Sequence, residues 1–292
     1  MIAVISPSSE GERCLRGFLA AIAVLLAALI AAPALAGETV TWLTSDLPPQ
    51  YIAEGELSGL GIKDQQLKLI AAQFPDLQSR TLRASISRLW YQIQHEDGMC
   101  GIGVFRTPER EKFAAFTRRS VPVPGFHLII RDEDRPLFVP FLDEHGEIDL
   151  TALQQNRKLV GGYVADRLYP PTMMAYIESA ERRARTEKSI DNQRLFQLLR
   201  SKRVDFVFGL GYESAYYGWK FAAQTPLAGL PVKGAPHIVN GYTACSNQPV
   251  GRAMIARLDQ MQSDETIWRQ WIEPLRRWLD PADFDTALAA QP

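Results

Sequence analysis

The segment best equipped for chemistry is Thr107-Pro108-Glu109-Arg110. Threonine is a good helix N-cap and proline is preferred at the first helical position, so a helix is expected to start there. Arg110 then falls in its first turn. A guanidinium beside the free N–H groups of a helix start is a receptor for a carboxylate, which it grips through paired hydrogen bonds. Other chemistries lack their residues. His95, His127, His145 and His237 are scattered, and no His-x-x-Glu-His type spacing gathers metal ligands. There is no Gly-x-Ser-x-Gly nucleophile elbow. Gly209-Leu210-Gly211 lacks the third glycine of a dinucleotide fingerprint, and Asp143-Glu144 reads as a solvated loop pair. No metal and no cofactor is implied.

The compartment follows from residues 1–36. Arg13 and Arg16 precede an uncharged, largely apolar run from Phe18 to Ala32, and Ala34-Leu35-Ala36 after Pro33 is a small-x-small cleavage site. The run is shorter than the roughly 18 residues of a spanning helix, so a cleaved signal peptide and a periplasmic product are expected. Removing it takes Cys14 with it and leaves Cys100 and Cys245, two thiols in an oxidising space where pairing is the usual outcome. The formal charge is −1, with 32 basic and 33 acidic residues, and the leader contributes equally to both. That balance argues against nucleic acid as a partner. With 46% hydrophobic and 22% charged residues the chain is an ordinary globular one, long enough for one large domain or two small ones.

The elements that must hold Arg110 alternate. Thr39–Ser45 reads as a strand stopped by Asp46-Leu47-Pro48-Pro49. After Gly59-Leu60-Gly61, the spacing of Ile62, Leu67, Ile70 and Phe74 predicts a helix. A short strand at Arg80–Ala84, a helix at Ser85–His95 and a strand at Cys100–Phe105 follow. A second set begins with strands Phe126–Arg131 and Lys158–Val164, with a short helical piece at Ile148–Leu153 between them. A helix at Met173–Arg183, a strand at Arg185–Lys188, a helix at Asp191–Ser201, the strand Val204–Phe208 and a helix from Tyr212 continue it. A strand at His237–Cys245 and two helices, Val250–Gln262 and Thr266–Leu279, close the chain. Trp268, Trp271, Leu275 and Trp278 share a helix face and read as packing. The alternation argues for parallel βαβ units, hence an α/β fold.

This order, with Asp-x-Pro-Pro, Gly-x-Gly, Gly103-Val104-Phe105-Arg106-Thr107-Pro108-Glu109-Arg110-Glu111-Lys112, Val-Gly-Gly and Arg-Val-Asp-Phe-Val, resembles the amino-acid-type (family 3) bacterial extracellular solute-binding proteins, in a little-characterised branch. The likeness spans residues 40–285. It implies a two-lobed, type II periplasmic-binding-protein-like α/β fold. Lobe one would be residues 37–124 plus 239–292, lobe two residues 125–238, with crossings near Pro122–Gly125 and Pro236–Val239. Each lobe would be a mostly parallel sheet flanked by helices. In that fold the returning strand runs antiparallel beside the third strand, which implies a Cys100–Cys245 disulfide. The resemblance also implies that Arg110, with its cap Thr107, holds a ligand carboxylate in the cleft between the lobes. Asp46 and Tyr51 flank the Pro-Pro loop, and Tyr51 stands in for the aromatic the family stacks nearby.

The chain departs from the family where Gly103 and Phe105 replace hydroxyl residues and where Ala165-Asp166-Arg167 replaces a Gly-Thr-Thr loop. The ammonium-binding carboxylate falls near Leu210, with Glu213 as the neighbouring substitute. Tyr163, Arg167 and Tyr212 complete the expected cleft. The expected function is binding of a small, carboxylate-bearing solute by a monomer that delivers it to an ABC-type importer. A sensory module feeding a membrane receptor is the second reading, and an enzyme on this fold the third.

Overall fold

The computed structural model describes residues 39–45, 47–181, 185–221 and 226–289; the expected leader and Asp46 lie outside them. In chain order the first set is β1 (Val40–Thr44), α1 (Ile62–Gln73), β2 (Ser79–Arg83), α2 (Ile86–His95), β3 (Met99–Val104), the single turn α3 (Pro108–Glu111), β4 (Ala114–Phe116) and β5 (Val121–Pro124). The second set is β6 (Phe126–Arg131), α4 (Arg135–Phe138), α5 (Leu150–Gln155), β7 (Gly161–Val164), α6 (Pro171–Glu181), β8 (Thr186–Ser189), α7 (Asn192–Arg200), β9 (Phe206–Leu210), α8 (Gly211–Lys220) and β10 (Leu227–Pro231). The chain ends with β11 (Ile238–Ser246), α9 (Pro249–Ser263), α10 (Glu265–Ile272) and α11 (Pro281–Leu288).

Two sheets result, and helices flank both. The first has the order β2-β1-β3-β11-β4 with β5 added along β11; the second has the order β10-β6-β9-β7-β8. In each sheet one strand runs against its neighbours, β11 in the first and β6 in the second, while β1 pairs with β2 and β3, and β7 with β8 and β9, in parallel. This is the two-lobed α/β architecture, each lobe a mixed sheet in which all strands but one run the same way. Buried sheet residues are continuous apolar runs: Val40 to Leu43 and all of β9 are buried, as parallel strands covered on both faces require. At the edge, Ser79–Arg83 is exposed throughout and carries Arg80 and Arg83, which discourages further strand pairing.

Between the sheets run two antiparallel segments. Ile238–Gly241 of β11 pairs with Val121–Pro124 of β5, and the Gly125 N–H donates to the His237 carbonyl at 2.7 Å. Strand β5 carries Pro122 and Pro124, which hid it from periodicity; it survives as a strand because proline is tolerated at a sheet edge. The three-residue β4, the strand β10 and the helix α11 are likewise additions to the elements expected from sequence.

The C-terminal segments close the first lobe. Trp268, Trp271, Leu275 and Trp278 are buried, as a packed face requires. Asp97 fixes the approach to β3. Its carboxylate accepts from the N–H groups of Gly98, Val250 and Gly251 and from the Ser246 hydroxyl, at 2.7–3.1 Å. Burial works to raise its pKa, but those donors outweigh it and hold the group below the usual carboxylate range.

Cys100 and Cys245 stand directly opposite on β3 and β11, 4.0 Å apart at Cα, and form a disulfide across a separation of 145 residues. In the chain-entropy account a loop of that length contributes about 4–5 kcal/mol. At about 2–4 °C per kcal/mol for a chain of this size, replacing both cysteines by alanine should lower Tm by about 10 °C or more. A calorimetric scan of the double variant beside wild type checks this; an unchanged Tm would contradict it.

Candidate ligand-binding cleft

Ligands of open α/β sheets bind beyond the carboxyl ends of parallel strands. Here those ends, after β1 and β3 in one lobe and after β7, β8 and β9 in the other, face a shared cleft. The loop after β1 is tied to the start of α1. One Asp64 oxygen accepts from the N–H groups of Ile52 and Gly61, at 2.9 and 3.1 Å, and the Lys63 N–H donates to the Gln50 carbonyl at 2.8 Å. Gly61 permits this approach, since a Cβ there would lie 2.6 Å from the Gln50 carbonyl oxygen. The knot delivers Gln50, Tyr51 and Lys63 to one place.

Lys63 is a residue that periodicity passed over. It is buried, its Nζ lies 3.4 Å from the Gly103 carbonyl, and it sits 5.4 Å from the centre of the Tyr51 ring. Burial, reinforced by the nearby Arg167 cation and opposed by Glu213, lowers its pKa from 10.5 to about 7. Gly103 gives it space: a Cβ on Gly103 would lie 2.6 Å from Lys63 Cε, and the backbone there has φ +62°. The sequence signal was available. Lys63, Gln66 and Ile70 share the buried stripe of α1, and a lysine on a buried stripe is rare without a role.

Arg110 stands where its capped turn predicts. Its N–H donates to the Thr107 hydroxyl at 3.3 Å, and its Nη1 donates to the Phe105 carbonyl at 2.7 Å. The guanidinium lies 3.9 Å from the centre of the Trp90 ring, a cation–π contact, and burial pulls its pKa down to about 10. Thr107 therefore acts as the cap that sets Arg110.

From the second lobe, Arg167 and Glu213 meet as a buried bidentate pair at 2.7 and 3.1 Å. Glu213 also accepts from the Leu210 N–H at 3.0 Å, while Arg167 reaches Asn192 at 3.4 Å and packs over Phe126. Burial opposes the charge on Arg167, but Glu213 overrides it and its pKa rises. Tyr212 is buried beside them, and its hydroxyl accepts from Gln50 Nε2 across the cleft at 2.5 Å. Burial raises the phenol pKa of both Tyr212 and Tyr51, with Glu213 adding to the first and Asp64 to the second. The Tyr51 hydroxyl has no hydrogen-bond partner among the described residues. Tyr163 is placed elsewhere: its hydroxyl donates to Glu181, and it lines none of the cleft chambers.

The cleft holds three chambers that share lining residues. An inner chamber of about 50 Å³ is lined by Gln50, Lys63, Phe105, Arg119, Tyr212 and Trp271 among others. A middle one of about 70 Å³ is lined by Tyr51, Lys63, Trp90, Phe105, Arg110 and Arg167. A wider mouth of about 260 Å³ opens between Arg83, Ser85 and Ile86 on one side and Val164, Ile190 and Asp191 on the other. Among the described residues the two deeper chambers are lined by four cations and no carboxylate. Arg119 is paired with Glu265, and Arg167 with Glu213. Among the described residues, Lys63 and Arg110 meet carbonyls and rings.

Neither a protein-family model nor a curated protein sequence matches the chain. Solved structures match its fold. A histidine kinase sensor domain with similarity to periplasmic binding proteins aligns at TM-score 0.60 and 14% identity, over 84% of this chain and 97% of that one. The GluR0 ligand-binding core in complex with L-glutamate aligns at TM-score 0.57 and 18% identity, over 86% and 100%. An amino acid ABC transporter substrate-binding protein from Streptococcus pneumoniae bound to L-arginine aligns at TM-score 0.55 and 15% identity, over 87% and 95%.

An uncompensated buried cation costs stability. Lys63→Met should therefore raise Tm, by about 5 °C if about 1–2 kcal/mol is recovered. Between pH 7 and 10.5 the unfolded wild type binds a proton that the folded protein releases, so wild-type stability rises with pH across that window. The advantage of the variant should be full below pH 7 and shrink toward pH 10. Melting curves from pH 5.5 to 9.5 check the sign; a destabilised variant, or a gap that widens with pH, would contradict it.

Proposed function

We propose that this chain is a periplasmic solute-binding protein that closes its two lobes on a small carboxylate-bearing solute and presents the closed form to an ABC-type importer. The observation that carries the reading is the pair Lys63 and Arg110, two cations that line one chamber between the sheets and have no carboxylate partner among the described residues. Binding free energy becomes closure free energy only when a solute touches both lobes at once. The middle chamber offers Tyr51, Lys63 and Arg110 from one lobe and Arg167, Leu168 and Leu210 from the other. Two hydrogen bonds already cross the cleft, Gln50 to Tyr212 and Ser87 to Asp166, each at 2.5 Å. Asp46, two residues beyond β1, remains part of the proposed cleft.

The likeness to a histidine kinase sensor domain favours a second reading, in which the closed form is read by a membrane receptor. The site would work identically, and only the partner would differ. Purification of the tagged chain with its membrane partner separates the two: a permease supports import, a receptor supports sensing. The fold likenesses are to binding and sensor proteins, and a non-enzymatic role accords with them.

Small-angle scattering should show a smaller radius of gyration at saturating solute, and Arg110→Ala should weaken binding of a carboxylate solute at least tenfold while keeping the wild-type circular dichroism spectrum. A radius unchanged at saturation would refute hinge closure, and wild-type affinity in the variant would refute the role given to Arg110.

A further inference from the structure

Arg110, Tyr51 and Trp90 line the middle chamber and not the inner one. The inner chamber is walled instead by Val121 and Val123 of β5, Gln262 of α9 and Trp271 of α10. We infer that it is a second subsite, which takes the primary carboxamide end of a solute whose carboxylate lies in the middle chamber. The carboxylate half of that statement rests on the solute-binding reading above.

Two glutamines in the lining point to the kind of group. Gln50 is 7% exposed and Gln262 is 2% exposed, and among the described residues neither Oε1 has a hydrogen-bond partner. Both side chains come from anchored positions. Gln50 donates from Nε2 to the Tyr212 hydroxyl, and the backbone carbonyl of Gln262 accepts from Arg119 Nη1 at 2.9 Å. A buried carbonyl oxygen without a donor is costly, so a chamber lined by two of them favours an occupant that donates. At about 50 Å³ the chamber has room for a group of three or four heavy atoms, since one water needs roughly 10–15 Å³ of such space.

Lys63 also lines the chamber and narrows the choice. Its Nζ carries protons to spare beyond the one directed at the Gly103 carbonyl at 3.4 Å. A carboxylate end would accept from Lys63 but leave both glutamine oxygens unmet. An ammonium end would meet the oxygens but set a second cation beside Lys63, and like charges at close range repel. A methyl end would meet neither. A carboxamide does both: its NH2 donates to Gln50 and Gln262, and its carbonyl accepts from Lys63. The two deep chambers share Gln50, Lys63, Ile102, Gly103, Phe105 and Leu210, so one short solute can lie across both.

Acids of one chain length that differ only at the far end test this by calorimetric titration. Glutaramate is compared with glutarate, 5-aminopentanoate and pentanoate, and the same set is run one carbon shorter and one carbon longer. At one chain length or more, the amide should bind at least tenfold more tightly than each of its three counterparts, because a buried site built to hydrogen-bond a group rejects the analogue that lacks it. In Gln262→Met, with the wild-type circular dichroism spectrum, the preference for the amide over the methyl end should fall at least fivefold. The wild-type titrations decide the matter even where that variant does not fold. A methyl-, ammonium- or carboxylate-ended acid that binds as well as the amide at every length overturns the inference and leaves the solute-binding reading standing. A Gln262→Met protein that keeps the full preference overturns it too, as does silence from every acid, whereas the solute-binding reading falls only if no solute closes the lobes.

Discussion

Strand β11 is the constraint on which the rest of the molecule depends. Its nine residues pair with β5 at one end and with β3 and β4 at the other, so a single ladder runs from the crossing segments into the first sheet. Backbone hydrogen bonding alone would leave its register against β3 free to slip. The disulfide and the Asp97 network fix it, the first by a covalent link at Cys245 and the second by holding Ser246 and the start of α9. The ladder is irregular between Tyr242 and Ala244. Just before that irregularity, Gly241 lies against Gly103, within 3.4 Å of where a side chain would start. The geometry that admits Lys63 to the cleft thus begins in the pairing of two strands.

Charge in the cleft follows a division of labour. Arg167 and Glu213 neutralise one another and link the segments after β7 and β9. Arg119 is held in the same way by Glu265 and the Gln262 carbonyl. The positive character of the chambers is left to Lys63 and Arg110, one from the first turn of α1 and one from the short α3. Both come from the same lobe. In the proposed reading, charge recognition is concentrated on one lobe, while the other contributes shape and the Tyr212 hydroxyl.

Much of the fold was legible in the sequence because its rules are local. A cap such as Thr107, the proline stops and the apolar runs of β7 and β9 identify elements without tertiary help. The Cys100–Cys245 bridge was legible once the resemblance supplied a topology. Short elements escaped. Ala114–Phe116 is three residues long, and Val121–Pro124 is defined by its partner strand against the preferences of its own residues. The candidate site was legible only in part. Arg110 has a local signature in its capped turn. Lys63 has only its place on the buried stripe of α1, and its room in the cleft depends on Gly103, forty residues away. Glu213 could be placed near the cleft by register, but its commitment to Arg167 depends on two loops meeting, and Tyr163 has a partner, Glu181, that no pattern along the chain connects to it.

The hydrogen bonds from Gln50 to Tyr212 and from Ser87 to Asp166 have a further consequence. They join the lobes through protein atoms alone, so closure has favourable terms of its own before any solute contributes. A ligand acting on such an equilibrium shifts it only by its difference in affinity for the two forms. The larger the closed fraction at rest, the smaller the reduction of apparent affinity caused by a scarce competent form. The same contacts would limit the contrast between empty and loaded protein that the proposed membrane partner reads. Tight capture and a clear signal therefore place opposing demands on the same two side-chain pairs.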